Sequence, residues 1–222
     1  MILLAMADLE EYELWDYYPQ HRLWFNKLWL AEQLEYKCGP CGYAPRRTGE
    51  YVVRPIYNLA GMGLGAYKTR IAAGDRSQVP PGSFWCEYFD EPHYSVTYEH
   101  SNTGWRMVHS WHGQFDSTNL SRFNSWTRSS HAPLLTQLFD ELSGVGTINV
   151  EFRGDKPIEV HLRPSGNPDG SSEPSQYNEY IPVWSDSLEH CHTLIEDGYA
   201  FLDCPETADN QLKVSRVGFM VR

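Results

Sequence analysis

INVEFRGDKPIEVHLR, residues 148–163, is the stretch on which the fold turns. Ile148, Val150 and Phe152 alternate with Asn149 and Glu151. After Arg153-Gly154-Asp155-Lys156 the alternation resumes, with Val160 and Leu162 set against Glu159, His161 and Arg163. A period of two is that of a β-strand, and a Gly-containing turn between two such runs predicts a hairpin. The apolar members mark the buried side. The other side gathers Asn149 and Glu151 on one strand and Glu159, His161 and Arg163 on its neighbour. Carboxylates and nitrogen or oxygen donors so arranged suit a hard divalent ion that shares its coordination with phosphate oxygens. The same alternation also describes a strand face open to water, and the hairpin alone does not choose between them.

Working outward, residues 132–142 (APLLTQLFDEL) predict a helix with Pro133 in its first turn and Gly144 and Gly146 beyond its end. Residues 83–100 predict two strands broken at Asp90-Glu91-Pro92, joined by a third at Trp105–Trp111 as an antiparallel meander. Residues 22–36 carry Leu23, Leu30 and Leu34 on one stripe and Phe25, Leu28 and Trp29 on the next, the pattern of a broad-faced buried helix. A strand over Tyr51–Val53 leads to the glycine-rich loop Gly61-Met62-Gly63-Leu64-Gly65-Ala66. Residues 164–177 are a Gly/Pro/Ser-rich loop, and a last hairpin pairs about 199–204 with 212–221.

With 222 residues the chain can bury a substantial core without metal or disulfide staples. Its net charge of -11, with no compensating basic block, argues against nucleic acid and anionic membrane surfaces as partners. No stretch approaches the roughly 20 apolar residues needed to cross a bilayer. The apolar opening Met1–Met6 runs into Asp8, Glu10 and Glu11 and lacks the form of an export signal, so a cytoplasmic location is expected. Five cysteines do not form a secreted disulfide framework. Cys38 and Cys41 make one C-x-x-C pair, half of a zinc site, a redox pair or an inert turn.

The order of these pieces resembles the ATP-grasp superfamily, most visibly ligases of the D-alanine:D-alanine ligase and biotin-carboxylase type, over residues 20–170. Asn26-Lys27 resembles the pair that opens a helix and sends a lysine to the nucleotide phosphates. Val53-Arg54-Pro55, followed by Asn58 and Gly61, Gly63 and Gly65, resembles the strand and flexible loop that cover them. Trp85-Cys86-Glu87-Tyr88-Phe89, running into Pro92-His93-Tyr94-Ser95-Val96, resembles the adenine-binding strand and the turn after it. Asn149 to Glu151 with Glu159-Val160-His161-Leu162-Arg163 resembles the closing metal motif. Arg54 stands where lysine is usual, His93 where a ribose-binding glutamate is common, and His161 where the metal-binding residue is asparagine.

The resemblance implies an α+β fold of two lobes with largely antiparallel sheets clamping a nucleotide. Within a single 1–222 domain it places a small nucleotide-clamping lobe at about 20–100 and a metal-binding lobe with the C-terminal hairpin at 101–222. It implies Lys27, Arg54, Gly61, Gly63, Gly65, Glu87, Phe89 and His93 around ATP. Glu151, Glu159 and His161 are implied on magnesium, and Lys27, Arg54 and Arg163 in the chemistry. The implied activity joins a carboxylate to an amine or related nucleophile through an acyl phosphate. About twenty residues precede the first motif, so either a partner chain or a second copy completes the acceptor site, or the substrate is itself a macromolecule, or the chain keeps nucleotide binding without turnover. Two other readings stand beside this one. A protein that keeps the fold with a degraded nucleotide site would use its eight tryptophans and fourteen tyrosines for contact surfaces. A zinc hydrolase would be built from His109, His112, His190 and His192.

Overall fold

The computed structural model describes residues 9–57, 65–115, 120, 122–164, 168, 175–204 and 215–222. Gly61, Gly63, Asn58, the Met1–Met6 opening and most of the 164–177 loop lie outside these residues. Helix α1 (Glu11–Tyr17) opens with the Glu13 carboxylate accepting the Glu10 N–H at 2.8 Å, which satisfies one of the donors a helix start leaves unpaired. A 3-10 segment (Pro19–Phe25) and helix α2 (Lys27–Gln33) follow. The single helix expected over 22–36 is therefore two pieces. Asn26 is extended at φ -92° and ψ 101°, and its side-chain oxygen accepts the Trp29 N–H at 2.9 Å. Capping α2 in this way ends the preceding segment and sets Lys27 as the first residue of a new helix.

Strands β1 (Cys38–Pro40), β2 (Gly49–Pro55), β3 (Tyr67–Ile71) and β4 (Ser83–Glu87) form one antiparallel sheet in the order β1-β4-β2-β3. On one face Tyr51, Val53, Ile71 and Trp85 pack together. On the other, Phe84 and Cys86 meet Ala31, with Leu28 and Val52 beside them, so α2 covers that side. Cys38 packs with this second group and Cys41 with the first, which separates the C-x-x-C pair across the sheet. Both are free thiols.

A second antiparallel sheet is built from β5 (His93–Ser101), β6 (Gly104–Phe115), β7 (Phe123–Ser129), β8 (Thr147–Arg153), β9 (Lys156–His161), β10 (Glu179–Trp184), β11 (Ala200–Asp203) and β12 (Arg216–Val221). Its order is β11-β12-β10-β7-β6-β5-β8-β9. The break at Asp90-Glu91-Pro92, the meander and both hairpins fall where the sequence places them. Helix α3 (His190–Glu196) lies between β10 and β11 in the chain. Val96, Tyr98, Ile148, Val150, Phe152, Val160 and Leu162 form the main core with Leu14, Trp24, Phe25 and Leu30 from the N-terminal helices. The architecture is α+β, with helices segregated onto sheets built from local antiparallel connections.

The helix expected over 132–142 is not formed. Only Gln137–Glu141 is helical, as a 3-10 turn. Tyr98 donates its hydroxyl to the Pro133 carbonyl at 2.6 Å, which takes the oxygen that a first helical turn would use. Leu134 is left 91% exposed, while Phe139 and Leu142 are drawn into the core. The leucine spacing reflected an irregular segment pinned at both ends.

Candidate functional site

The turn Gly154-Asp155 places a glycine with φ +58° first, the position a tight hairpin turn reserves for a residue without a Cβ. Beyond it the register sets Glu151 opposite Glu159 and Asn149 opposite His161. Across the other edge of β8, Ser95 faces Glu151 and Thr97 faces Asn149. Register partners share a face, so these six residues form one polar row on the side away from Val96, Val150 and Val160. Asn149, Ser95 and Thr97 are buried, and Asn149 donates to the Ser95 hydroxyl at 3.0 Å. β9 is an edge strand, which lets side chains from the N-terminal helices reach its polar side.

There they build a charged cluster. The Lys27 ammonium lies 2.7 Å from Glu159 Oε1. His161 lies 2.7 Å by Nδ1 from Glu11 Oε1 and 3.8 Å by Nε2 from Glu159 Oε1. Arg163 Nε donates to the same Glu11 oxygen at 3.2 Å. Glu11 and Lys27 are 3% and 4% exposed. Arg54, also buried, stacks 5.2 Å from the centre of the Phe84 ring, and its Nε has no hydrogen-bond partner among the described residues.

Each charge state has a cause. Burial alone would push the Glu159 carboxyl up, but Lys27, His161 and Arg54 outweigh it and hold it at about 2. Burial likewise raises Glu11, and the opposing His161 and Arg163 bring it below the usual carboxylate range. Burial lowers His161, and Glu11 and Glu159 overturn this and raise it. For Lys27 burial prevails and its pKa falls, with Arg54 adding to the effect against the attraction of Glu159. Lys27 and Arg54, both buried, and the half-buried Arg163 thus stand with His161 around the carboxylates Glu11 and Glu159, while Glu151 of the same row is paired with His93. In a chain of net charge -11 this is a concentration of basic side chains largely out of bulk water, and low dielectric strengthens their attraction for an anion.

The remaining sequence-predicted residues sit around rather than in this cluster. Gly65, at φ +75°, lies against Pro55 at the end of β2. Glu87 accepts the Lys37 backbone N–H at 2.9 Å and its ammonium at 2.8 Å. Phe89 packs edge-on to Tyr36 at 4.9 Å and lies under the Lys156 ammonium. His93 is 2.5 Å from Glu151, so the position expected to meet a ribose is joined to one expected to meet a metal. Glu11 went unread. Nothing local marks it, because its partners lie 150 and 152 residues further along.

Among the described residues no three His, Cys, Asp or Glu side chains converge tightly enough to cage a metal. Neither His109, His112, His190 and His192 nor Glu151, Glu159 and His161 form such a group. Nor is any described helix long and apolar enough to cross a membrane.

No protein-family model matches the chain, and no curated protein matches it in sequence. Solved structures do. An N5-carboxyaminoimidazole ribonucleotide synthetase solved with ADP superposes with a TM-score of 0.57 at 10% identity, over 97% of this chain and 73% of its own. The N5-carboxyaminoimidazole synthetase of Staphylococcus aureus, also with ADP, gives 0.56 at 12%, over 92% and 68%. The L-amino acid ligase of Bacillus licheniformis gives 0.47 at 12%, and this chain spans 42% of its length. At such identities the likeness is one of fold, and that fold is ATP-grasp.

Proposed function

We propose that the chain binds ATP between its two sheets and uses it, with magnesium, to activate a carboxylate as an acyl phosphate for capture by an amine or related nucleophile. The observation that carries this reading is the gathering of Lys27 and Arg54, both buried, and the half-buried Arg163 around the polar side of the β8–β9 hairpin. A triphosphate is the ligand such a cluster suits. Lys27 and Arg54 bind its phosphate oxygens, the arginine through a guanidinium able to fork two of them. Glu87, Phe89 and His93 lie along the path from β4 to β5, where base and ribose would rest. Both solved synthetases named above hold ADP, which supports a nucleotide on this fold.

Magnesium needs only one or two carboxylates when phosphates complete its coordination, and Glu151 and Glu159, opposite each other on paired strands, fit that demand. When bound, the ion would withdraw charge from the phosphate oxygens. The carboxylate substrate would attack the γ-phosphorus, the bond to the β-bridging oxygen would break, and ADP would leave. The nucleophile would then displace phosphate from the acyl carbon. Arg163 would hold the negative charge that develops on the transferring group. The glycine loop would exclude water, since hydrolysis of an acyl phosphate competes with ligation.

A second reading, a nucleotide site that has lost function, is favoured by the way Lys27 and Glu159, and Lys37 and Glu87, already satisfy each other. Melting temperature with ATP and magnesium separates binding from none, because a ligand of the folded state must raise it. ADP release with a panel of carboxylates and amines then separates a ligase from a bare binder. No melting shift at millimolar nucleotide would overturn the proposal.

A further inference from the structure

We propose that Glu11, on helix α1, is a positioning residue of this site: its Oε1 holds both His161 and Arg163, and so aims His161 Nε2 at Glu159 and the nucleotide. The inference rests on the function proposed above and extends it to a helix outside the residues that resemble the ATP-grasp motifs.

The geometry is specific. One carboxylate oxygen takes two donors, His161 Nδ1 at 2.7 Å and Arg163 Nε at 3.2 Å, from alternate positions at the end of β9. An ionised carboxylate only accepts hydrogen bonds, so the proton of this contact sits on Nδ1. The other ring nitrogen is then turned to Glu159, 3.8 Å away. Rings that act through one nitrogen are commonly fixed by a carboxylate on the other, which sets tautomer and orientation together. Arg163 meets Glu11 through Nε, and among the described residues its terminal nitrogens make one contact, from Nη1 to the Pro164 carbonyl at 3.5 Å.

The support is rigid. α1 is docked by Leu14, 0% exposed, and Tyr18 in the same core that contains Val160 and Leu162. Val160 and Leu162 alternate with the residues Glu11 contacts, so one packing interface fixes both partners. A carboxylate with no role beyond packing would be costly at this depth, where an apolar residue could stand.

The test uses the full chain and three variants. In nucleotide-free wild type, nitrogen-15 NMR of His161 should report the proton on Nδ1. Glu11→Ala should release this preference and lower kcat for magnesium-dependent ADP release roughly 10- to 100-fold, with KM for ATP near its wild-type value. Glu11→Asp, which keeps the charge, should recover part of the loss. Glu11→Gln keeps an acceptor oxygen and carries the experiment if the alanine variant does not fold; it should retain the Nδ1 proton yet lose rate. Wild-type kcat in Glu11→Ala, or in Glu11→Gln where that variant stands in, overturns the inference. If wild type itself neither binds ATP nor releases ADP, the proposed function falls. The inference is then decided by the ring signal alone, and an unchanged Nδ1 proton in Glu11→Ala overturns it.

Discussion

Replacing Glu159 by glutamine keeps the shape of the side chain and removes its charge, and the consequence can be worked out from the folded state. The Glu159 carboxyl is held at about 2 against an ordinary 4.5, because Lys27, His161 and Arg54 surround it and outweigh the cost of its burial. At about 1.4 kcal/mol for each pH unit, that difference is worth about 3 kcal/mol of folding free energy. The sign follows from which state binds the proton. A depressed folded pKa means that the unfolded chain takes up the proton first. The contribution is therefore complete above pH 4.5, declines as pH falls, and is gone by about pH 2. Urea unfolding of wild type and Glu159→Gln at intervals from pH 6 to pH 2 measures it, since carboxylates remote from Glu159 titrate alike in both proteins and cancel in the difference. The gap between the two stabilities should be largest at pH 6 and shrink by about 3 kcal/mol on acidification. Parallel stability curves would refute the buried pair, and with it the cationic cluster on which the proposed function stands.

Lys27→Ala and Arg54→Ala should each weaken ATP binding by about 1.5–3 kcal/mol, the worth of a charged hydrogen bond, with titration calorimetry as the measure. Phe139→Ala should cost about 3–5 kcal/mol in chemical unfolding, because that ring is fully buried against Trp24, 5.1 Å away between centroids. Gly113→Ala should cost about 1–3 kcal/mol, since its Cβ would meet Phe123 at 2.6 Å and Trp126 at 2.7 Å; unfolding followed by tryptophan fluorescence would read it. Chelation of magnesium should abolish ADP release and spare the melting temperature of the nucleotide-free protein.

The β8–β9 hairpin was legible because everything that specifies it lies within sixteen residues. Alternation chooses the face and the Gly154-Asp155 turn closes the hairpin, and a one-residue shift of register between Glu151 and Phe152 then sets Glu151 against Glu159, where the turn's own register would have set it against Ile158. Asn26-Lys27 was legible for the same reason, a cap and the helix it starts being neighbours in the chain. Residues 132–142 misled because leucine spacing records only which side chains are apolar. It does not record that Tyr98, over thirty residues upstream, claims the Pro133 carbonyl. Residues 22–36 misled more mildly: the apolar stripe is real, yet Asn26 caps the next helix instead of continuing the first.

The candidate site divides along the same line. Lys27, Arg54, Glu159, His161 and Arg163 could be named because each sits in a short motif, and the fold then brought them together. Glu11 could not, since its carboxylate has no pattern of its own within Glu10-Glu11-Tyr12-Glu13, where three acids crowd the N-cap and first turn of the helix. Glu10 and Glu13 lie on the surface side, where Glu13 caps the helix, and only Glu11 turns inward to His161 and Arg163. What separates it from its neighbours is the docking of Leu14 and Tyr18, three and seven positions on, against the core beneath β9. At 3.6 residues per turn those positions share a helix face with Glu11. The stripe that buries α1 therefore also decides which of the three carboxylates enters the site.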